Sequence, residues 1–304
     1  MCGISGVFPF SVISSEYYKS HTLLAHRGPD DEGFIAGYKD SSEVTALSGN
    51  RTKGRWKSLP HILNIDNNLA WIIGHHRLSI IDLSENGHQP MGDESGRYWI
   101  CLNGEIYNFK ELREELKQYN FAFFSNTDTE VVLKSFIHWD IECFKKFNGM
   151  WALAIYDASN DRLILSRDRL GIKPLYYHYS KEQFLFASEV KFFKPLLNLS
   201  IDQKIAAEYI AFCHLEHSQD TFYEEIKQFP TAHYAIYSPR DHSLKFYRYW
   251  SINNIQKNYT LSIQDAVEQF KNLFSSAVNL RMRSDVPVGC LLSGGLDSTA
   301  ITCN

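Results

Sequence analysis

Apolar positions along the chain repeat with two periods, and the two alternate in blocks. Residues 70–74 (Ala70-Trp71-Ile72-Ile73-Gly74) and 78–83 (Leu78-Ser79-Ile80-Ile81-Asp82-Leu83) are apolar segments around a basic centre, His75-His76-Arg77. Residues 98–102 form an unbroken apolar run of strand length that ends in Asn103-Gly104. Phe109, Leu112, Leu116 and Tyr119 then return at helical spacing with charges between them. A second helix is expected from Thr127, where Thr127 and Glu130 fit a capping box and Val132, Leu133, Phe136 and Trp139 make the apolar face. Residues 150–189 read as strand after strand: 151–156, 162–166, 175–179 and 184–188, with a charged connection at 167–174. Further on, 202–215 has a helical period, 234–237 and 244–249 suit a hairpin, and 263–280 is a long helix capped by Ser262. A last strand is expected over 286–292. Two segments resist a period. The run 26–33 is a turn by composition and expected to be a surface loop, and 38–69 reads as a surface excursion. Antiparallel strands covered by helices predict an α+β layer architecture.

With 304 residues the chain has room for two domains. Its formal net charge of −4 gives no sign of nucleic acid or an anionic membrane as partner. No apolar run approaches the length of a membrane span, and the N-terminus lacks the basic-then-apolar build of a secretory signal. The six cysteines lie far apart without a CxxC pair, so they are expected to be reduced thiols, most of them buried, in a cytoplasmic protein.

Candidate chemistry concentrates at a few points. Cys2 stands directly behind the initiator methionine. Removal of Met1 would leave it with a thiol nucleophile and its own amine as a local base, with Gly3 and Gly6 expected to keep bulk away. Arg77 is either a solvated charge or a planar fork for a substrate carboxylate. His75 and His76 are taken as structural, since nothing nearby completes a metal ligand set. Asn103-Gly104 is either a turn or an amide donor beside an unobstructed backbone N–H, the two parts of an oxyanion hole. Asp128 falls in the first turn of its helix, where a carboxylate can serve the dipole. Ser293-Gly294-Gly295-Leu296-Asp297-Ser298, after a strand and before a helix, is the arrangement that offers backbone N–H groups to an anion, although it lacks the Walker ending.

Taken together and in order, these segments resemble the glutamine-hydrolysing asparagine synthetases, class II glutamine amidotransferases. The carriers are Cys2-Gly3-Ile4, His26-Arg27-Gly28-Pro29-Asp30, Arg77-Leu78-Ser79-Ile80, Asn103-Gly104-Glu105-Ile106-Tyr107-Asn108, Thr127-Asp128-Thr129-Glu130, Arg167-Asp168 with Gly171, Lys173 and Pro174, and Ser293 to Ser298. The resemblance implies an N-terminal-nucleophile αββα sandwich at 2–195, a connecting segment at 196–258, and from 259 the start of a pyrophosphatase-loop ATP domain. It implies that Cys2 is the nucleophile with Asn103 and Gly104 as oxyanion hole. Glutamine would be bound by Arg77, Leu78, Ile80, Glu105 and Asp128. ATP with Mg²⁺ would lie on Ser293, Gly294, Gly295, Asp297 and Ser298, with Leu291 near adenine. The implied reaction is glutamine hydrolysis coupled to ATP-dependent amidation of an acceptor carboxylic acid, aspartate first among them, in a possible homodimer. The sequence ends at Asn304, soon after the ATP motif, so the glutaminase half is expected to be the functional one here. The rival readings are a sugar-phosphate aminotransferase glutaminase, which the Ser-Gly-Gly-Leu-Asp-Ser loop opposes, and a non-catalytic glutamine- or partner-binding remnant.

Overall fold

The computed structural model describes residues 1–9, 14–39, 41, 43–65, 68–214, 217–257 and 260–304. The strands in chain order are β1 (Gly3–Phe8), β2 (Asp31–Tyr38), β3 (Val44–Leu47), β4 (Leu69–Arg77), β5 (Met91–Gly92), β6 (Tyr98–Ile106) and β7 (Gly149–Asp157). They continue with β8 (Arg162–Arg167), β9 (Tyr176–Tyr179), β10 (Phe184–Ala187), β11 (Lys227–Gln228), β12 (His233–Ser238) and β13 (Ser243–Arg248). The helices are α1 (Ser14–Thr22), α2 (Phe109–Gln118), α3 (Asp128–Trp139), α4 (Cys143–Lys146), α5 (Gln203–Phe212), α6 (Ile263–Arg281) and α7 (Leu296–Cys303). One sheet has the order β11-β9-β10-β1-β4-β2-β3 and the other β13-β12-β8-β7-β6-β5, with antiparallel neighbours throughout.

Three apolar layers hold the sheets. Ile4, Phe8, Trp71, Ile73, Ala152, Ala154 and Leu165 pack between the two sheets. Val7, Tyr17, Leu24, Phe34 and Ile72 pack on the α1 side of the first. Leu102, Leu116, Val132, Phe136, Trp151, Leu153 and Ile155 join the second sheet to α2, α3 and α4. Since both faces of each sheet are covered, successive residues of β7 are apolar but belong to different layers, Trp151 to the helices and Ala152 to the sandwich. That is why these strands read as solid apolar runs rather than alternating ones.

Several expectations change. β6 continues through Asn103 and Gly104 to Ile106, pairing Asn103 with Ala152 and Gly104 with Trp151, so Asn-Gly is no turn. The stretch 38–69 contains the edge strand β3 paired to β2, with Leu47 and Ile62 buried, and β2 itself begins inside the expected loop 26–33. A four-residue edge strand is too short to show a period. Gly6 is needed for packing, because a Cβ there would stand 2.2 Å from the Phe186 ring across the sheet. Thr127 caps α3 through the Glu130 N–H at 3.1 Å, but Glu130 turns its carboxylate to the Phe124 and Ser125 N–H groups instead of closing a box. α5 ends at Phe212, and Leu215, the expected helix end, lies outside the described residues. Residues 227–248 supply β11, β12 and β13, so this part of the expected connecting segment completes both sheets. The expected strand 286–292 is absent: no described strand runs beside it, and Leu291 is 95% exposed. Of the cysteines, Cys101 and Cys143 are buried, Cys2 is intermediate, and Cys213, Cys290 and Cys303 are exposed, fewer buried than expected.

The adjacent histidines of β4 point to opposite faces. His75 donates from Nε2 to the Leu102 carbonyl of the facing sheet at 3.1 Å, while His76 donates to His21 O at 3.1 Å and stacks on the His21 ring. All three are fully buried. Burial holds His75 down to about 3 and His76 to about 4, and drives His21 well below its ordinary value. In the folded state these rings stay neutral at pH values where the unfolded chain protonates them. The folded state therefore binds fewer protons, and stability is expected to fall as pH drops below about 6.5, each histidine contributing up to about 1.4 kcal/mol per pH unit. Urea midpoints at pH 7.5, 6.5 and 5.5 check this, and a flat series would contradict it.

Candidate active site

Cys2 sits at the end of an interior strand. The strand β1 lies between β10 and β4, and Gly3 through Val7 are paired with His76 through Ile72. Ahead of it, Arg27 Nε donates to the Cys2 carbonyl at 2.9 Å, and the same guanidinium holds Glu189 at 2.7 Å. The Cys2 side chain then has one direction to take, across the start of the loop after β4, where the Leu78 N–H donates to Sγ at 3.3 Å. Burial pushes the thiol up, and the Leu78 N–H, the terminal amine and Arg77 pull it back. The terminal amine, carried here by Met1, is itself held below its ordinary value, first by burial.

Around Sγ the structure gathers one pocket, lined among others by Cys2, Arg77, Leu78, Ile80, Gly104, Glu105 and Asp128. Asn103 adjoins it on β6, two residues after Cys101, which packs between the sheets. Its side chain is fully buried, and among the described residues neither Nδ2 nor Oδ1 has a hydrogen-bond partner. A buried unpaired amide costs about 1–3 kcal/mol, which makes Asn103 a polar group that the packing alone does not explain. Gly104 is fixed by crowding: a Cβ would stand 2.3 Å from Met150 O of β7.

Arg77 ends β4 with its side chain buried. Nη1 donates to Ser84 O at 2.9 Å and Nη2 donates to Asp82 O, so the loop that follows β4 folds back onto the guanidinium. Asp82 has a positive φ of 54°, which an aspartate tolerates better than most residues. Its Oδ1 accepts from the Ser84 N–H and hydroxyl, and its Oδ2 accepts from Asn126 N–H at 2.7 Å. Asn126 leads into the α3 cap, and Asp128 follows at the first helical position. There its Oδ2 accepts the Ile106 N–H at 2.9 Å, while burial pushes its carboxyl up to about 6. Glu105 is likewise raised by burial, with Lys173 and the terminal amine opposing.

The residues expected for the nucleophile, oxyanion hole and glutamine contacts thus converge from β1, β4, β6 and α3. The residues expected to hold ATP stand apart on the surface. Ser293 Oγ and Ser298 Oγ are 3.0 Å apart, Gly294 has φ +81° with open space around it, and Gly295 caps α7. Three contributors escaped sequence reasoning. Arg27 and Lys173 stood in quoted motifs without a role, although Arg27 holds Cys2 and buried Lys173 has its cation opposed by burial and supported by Glu105 and Cys2. Gln89 had no signal. It lines the pocket, accepts the Leu102 N–H at 2.7 Å and donates to Thr129 Oγ1 at 3.1 Å, tying β6 to α3.

Comparison with known proteins agrees with this geometry. Residues 62–250 match the glutamine amidotransferase domain family, and residues 269–304 match the asparagine synthase family. Asparagine synthetase [glutamine-hydrolyzing] 3 of Bacillus subtilis is 37% identical over 76% of this chain and 38% of its own length. Asparagine synthetase [glutamine-hydrolyzing] 1 of the same organism is 33% identical over 99% of this chain and 43% of its own. The chain therefore spans less than half the length of these two relatives. Among solved structures, the glutamine phosphoribosylpyrophosphate amidotransferase of B. subtilis, complexed with ADP and GMP, superposes with a TM-score of 0.58 at 18% identity. That match covers 83% of this chain and 50% of that one, a likeness of fold. The sandwich is the N-terminal-nucleophile fold of class II amidotransferases, and the chain belongs to the family of glutamine-hydrolysing asparagine synthetases.

Proposed function

We propose that this chain hydrolyses glutamine at Cys2 and that the ammonia serves an ATP-dependent amidation. The observation that carries the first half is the Asn103 amide, without a hydrogen-bond partner among the described residues, between the pocket-lining residues Leu102 and Gly104 on β6, in the pocket of which Leu78 N–H holds the Cys2 sulfur. With Met1 removed, the Cys2 amine takes the thiol proton and the thiolate attacks the side-chain carbonyl carbon of glutamine. The carbonyl oxygen becomes an oxyanion, which Asn103 Nδ2–H and the Gly104 N–H receive. The carbon–nitrogen bond then breaks, the amine returns its proton to the departing nitrogen, and ammonia leaves. Water cleaves the thioester, giving glutamate and the free thiol. Arg77 takes the α-carboxylate as a planar fork, and Asp128 with Glu105 takes the α-ammonium.

For the second half, the donor set of the C-terminal loop suits a pyrophosphate: two serine hydroxyls, a helix N-terminus and glycines with room for close approach. Ser293, Gly294, Gly295 and Ser298 would hold ATP, with Asp297 toward Mg²⁺. Bound there, ATP supplies adenylation of an acceptor carboxylate, aspartate or a related acid. Leu291, expected near adenine, is exposed in this structure.

Wild-type chain is expected to release glutamate from glutamine, with intact mass showing Cys2 as first residue. Cys2→Ala should abolish release and keep the wild-type melting curve, and Cys2→Ser should leave only a trace. Normal ammonia release from Cys2→Ala would remove the nucleophile. Asn103→Ala is expected to lower kcat about 10²–10³-fold with little change in KM, since its amide acts on charge that develops only in the transition state. A change confined to KM would assign Asn103 to ground-state binding instead.

Asp128 must be ionised to pair with an ammonium. Because burial raises its carboxyl to about 6, the anion is lost as pH falls through that value. kcat/KM for glutamine is expected to fall below pH 6 by up to about tenfold per unit. Asp128→Asn should give a low profile without that step, and a step that persists would belong to another group.

A further inference from the structure

The segment between α6 and the ATP-loop motif does not hang free of the sandwich. The Asp285 N–H donates to Ile80 O at 2.9 Å, and Asp285 Oδ2 accepts the Asp82 N–H at 2.7 Å. These two bonds clip the far strand-like edge of the loop whose near side is held by the Arg77 guanidinium. Ser284 Oγ also reaches Ile80 O, at 3.4 Å. One residue earlier, Arg283 donates to Tyr107 O at 2.6 Å and makes a two-point ion pair with Glu111. The Arg281 guanidinium lies 4.8 Å from the centre of the Tyr107 ring. Tyr107 directly follows Ile106, whose N–H is the one Asp128 accepts.

We propose that residues 281–285 are a strap that sets the shape of the glutamine pocket, with Asp285 as a positioning residue for Arg77 and Asp128. This rests on the glutaminase reading above. The path runs through Asp82, all of whose polar groups are engaged. Its N–H goes to Asp285, its carbonyl takes Arg77, and its carboxylate takes Ser84 and Asn126. Asp82 therefore joins the fork for the substrate carboxylate to the segment that leads to Asp128. Among the described residues, the bond from outside the sandwich is the one to Asp285. With φ at 54°, the Asp82 backbone lies in the left-handed region, a conformation that aspartate tolerates at some cost and that these bonds help to hold. Removing the Asp285 carboxylate frees that N–H and lets the loop relax away from Arg77. Residues 286–292 join the strap to Ser293–Ser298, so a change at the ATP loop that pulls on Asp285 is felt at the glutamine clamp. By linkage, glutamine held by that clamp favours the docked strap.

The test uses the full 304-residue chain. Asp285 is exposed, so its replacement leaves the buried layers untouched. Asp285→Ala is expected to raise the glutamine KM about fivefold or more, with kcat within about twofold and an unchanged melting curve. Asp285→Asn keeps a carbonyl oxygen as acceptor and should recover most of the affinity, which a loss of surface charge alone would not permit. Hydrogen exchange at the Asp82 amide should quicken in Asp285→Ala and slow again in Asp285→Asn. An active enzyme whose KM and Asp82 exchange do not respond to Asp285→Ala overturns the strap. Failure of the wild-type chain to release glutamate at all overturns the glutaminase reading instead, and the strap's role in glutamine binding with it.

Discussion

β1 is hydrogen-bonded on both edges, to β10 through Ser5–Phe8 and to β4 through Gly3–Val7, and it carries Cys2 one residue before its start. An N-terminal residue ordinarily frays, because nothing on one side restrains it. Here the restraint is the interior of a seven-stranded sheet, reinforced by Arg27 on the Cys2 carbonyl. The sulfur can then be placed by the Leu78 backbone, whose N–H donates to it and whose carbonyl accepts from it. Every other element of the site is set out from that point. β4 brings Arg77 because it pairs with β1, and β6 brings Asn103 because the second sheet packs face to face on the first.

Alternation on β6 does the rest. Ile100, Leu102 and Ile106 belong to the helix-side layer, and Cys101 to the layer between the sheets. Asn103 and Glu105 continue the Cys101 series, so a period of two delivers an amide and a carboxylate to the Cys2 side from a strand whose Ile100, Leu102 and Ile106 are buried for packing. The strand must also come close to β7 at Gly104, which the missing Cβ permits. The electrostatics follow from the same burial. Burial raises Asp128, Glu105 and the Cys2 thiol alike, and so makes each more responsive to any opposite charge brought beside it.

Much of this was legible in the sequence, for identifiable reasons. Long apolar runs and caps announced β6, β7, α2, α3 and α6, and short motifs with a chemical rationale named Cys2, Arg77, Asn103, Gly104 and Asp128. Elements without a local signal were not legible. β3 is four residues on an edge, β11 is two, and both exist through pairing with strands distant in sequence. Residues 286–292 carry the composition of a strand but have no described neighbour to pair with, and composition alone cannot supply a ladder. Roles held by the backbone were also hidden: Leu78 acts through its N–H and Asp82 through four separate contacts, none of which a residue type reveals. Gln89 is hidden for a related reason, since a buried glutamine is recognisable only once its two partners are in place.

The end of β4 has a further consequence. His75, His76 and Arg77 are consecutive, yet they serve the layer between the sheets, the α1 layer and the pocket beside Cys2 in turn. Inserting or deleting one residue in this strand would hand each of the three to its neighbour's place and put two neutral rings and a cation into the wrong surroundings at once. Evolution can lengthen or shorten the chain before β4, where β3 is an edge and the turns around it reach the surface, but not within it. Length variation among relatives should therefore gather ahead of Leu69 and vanish between Leu69 and Arg77, a boundary set by the pleat of one strand.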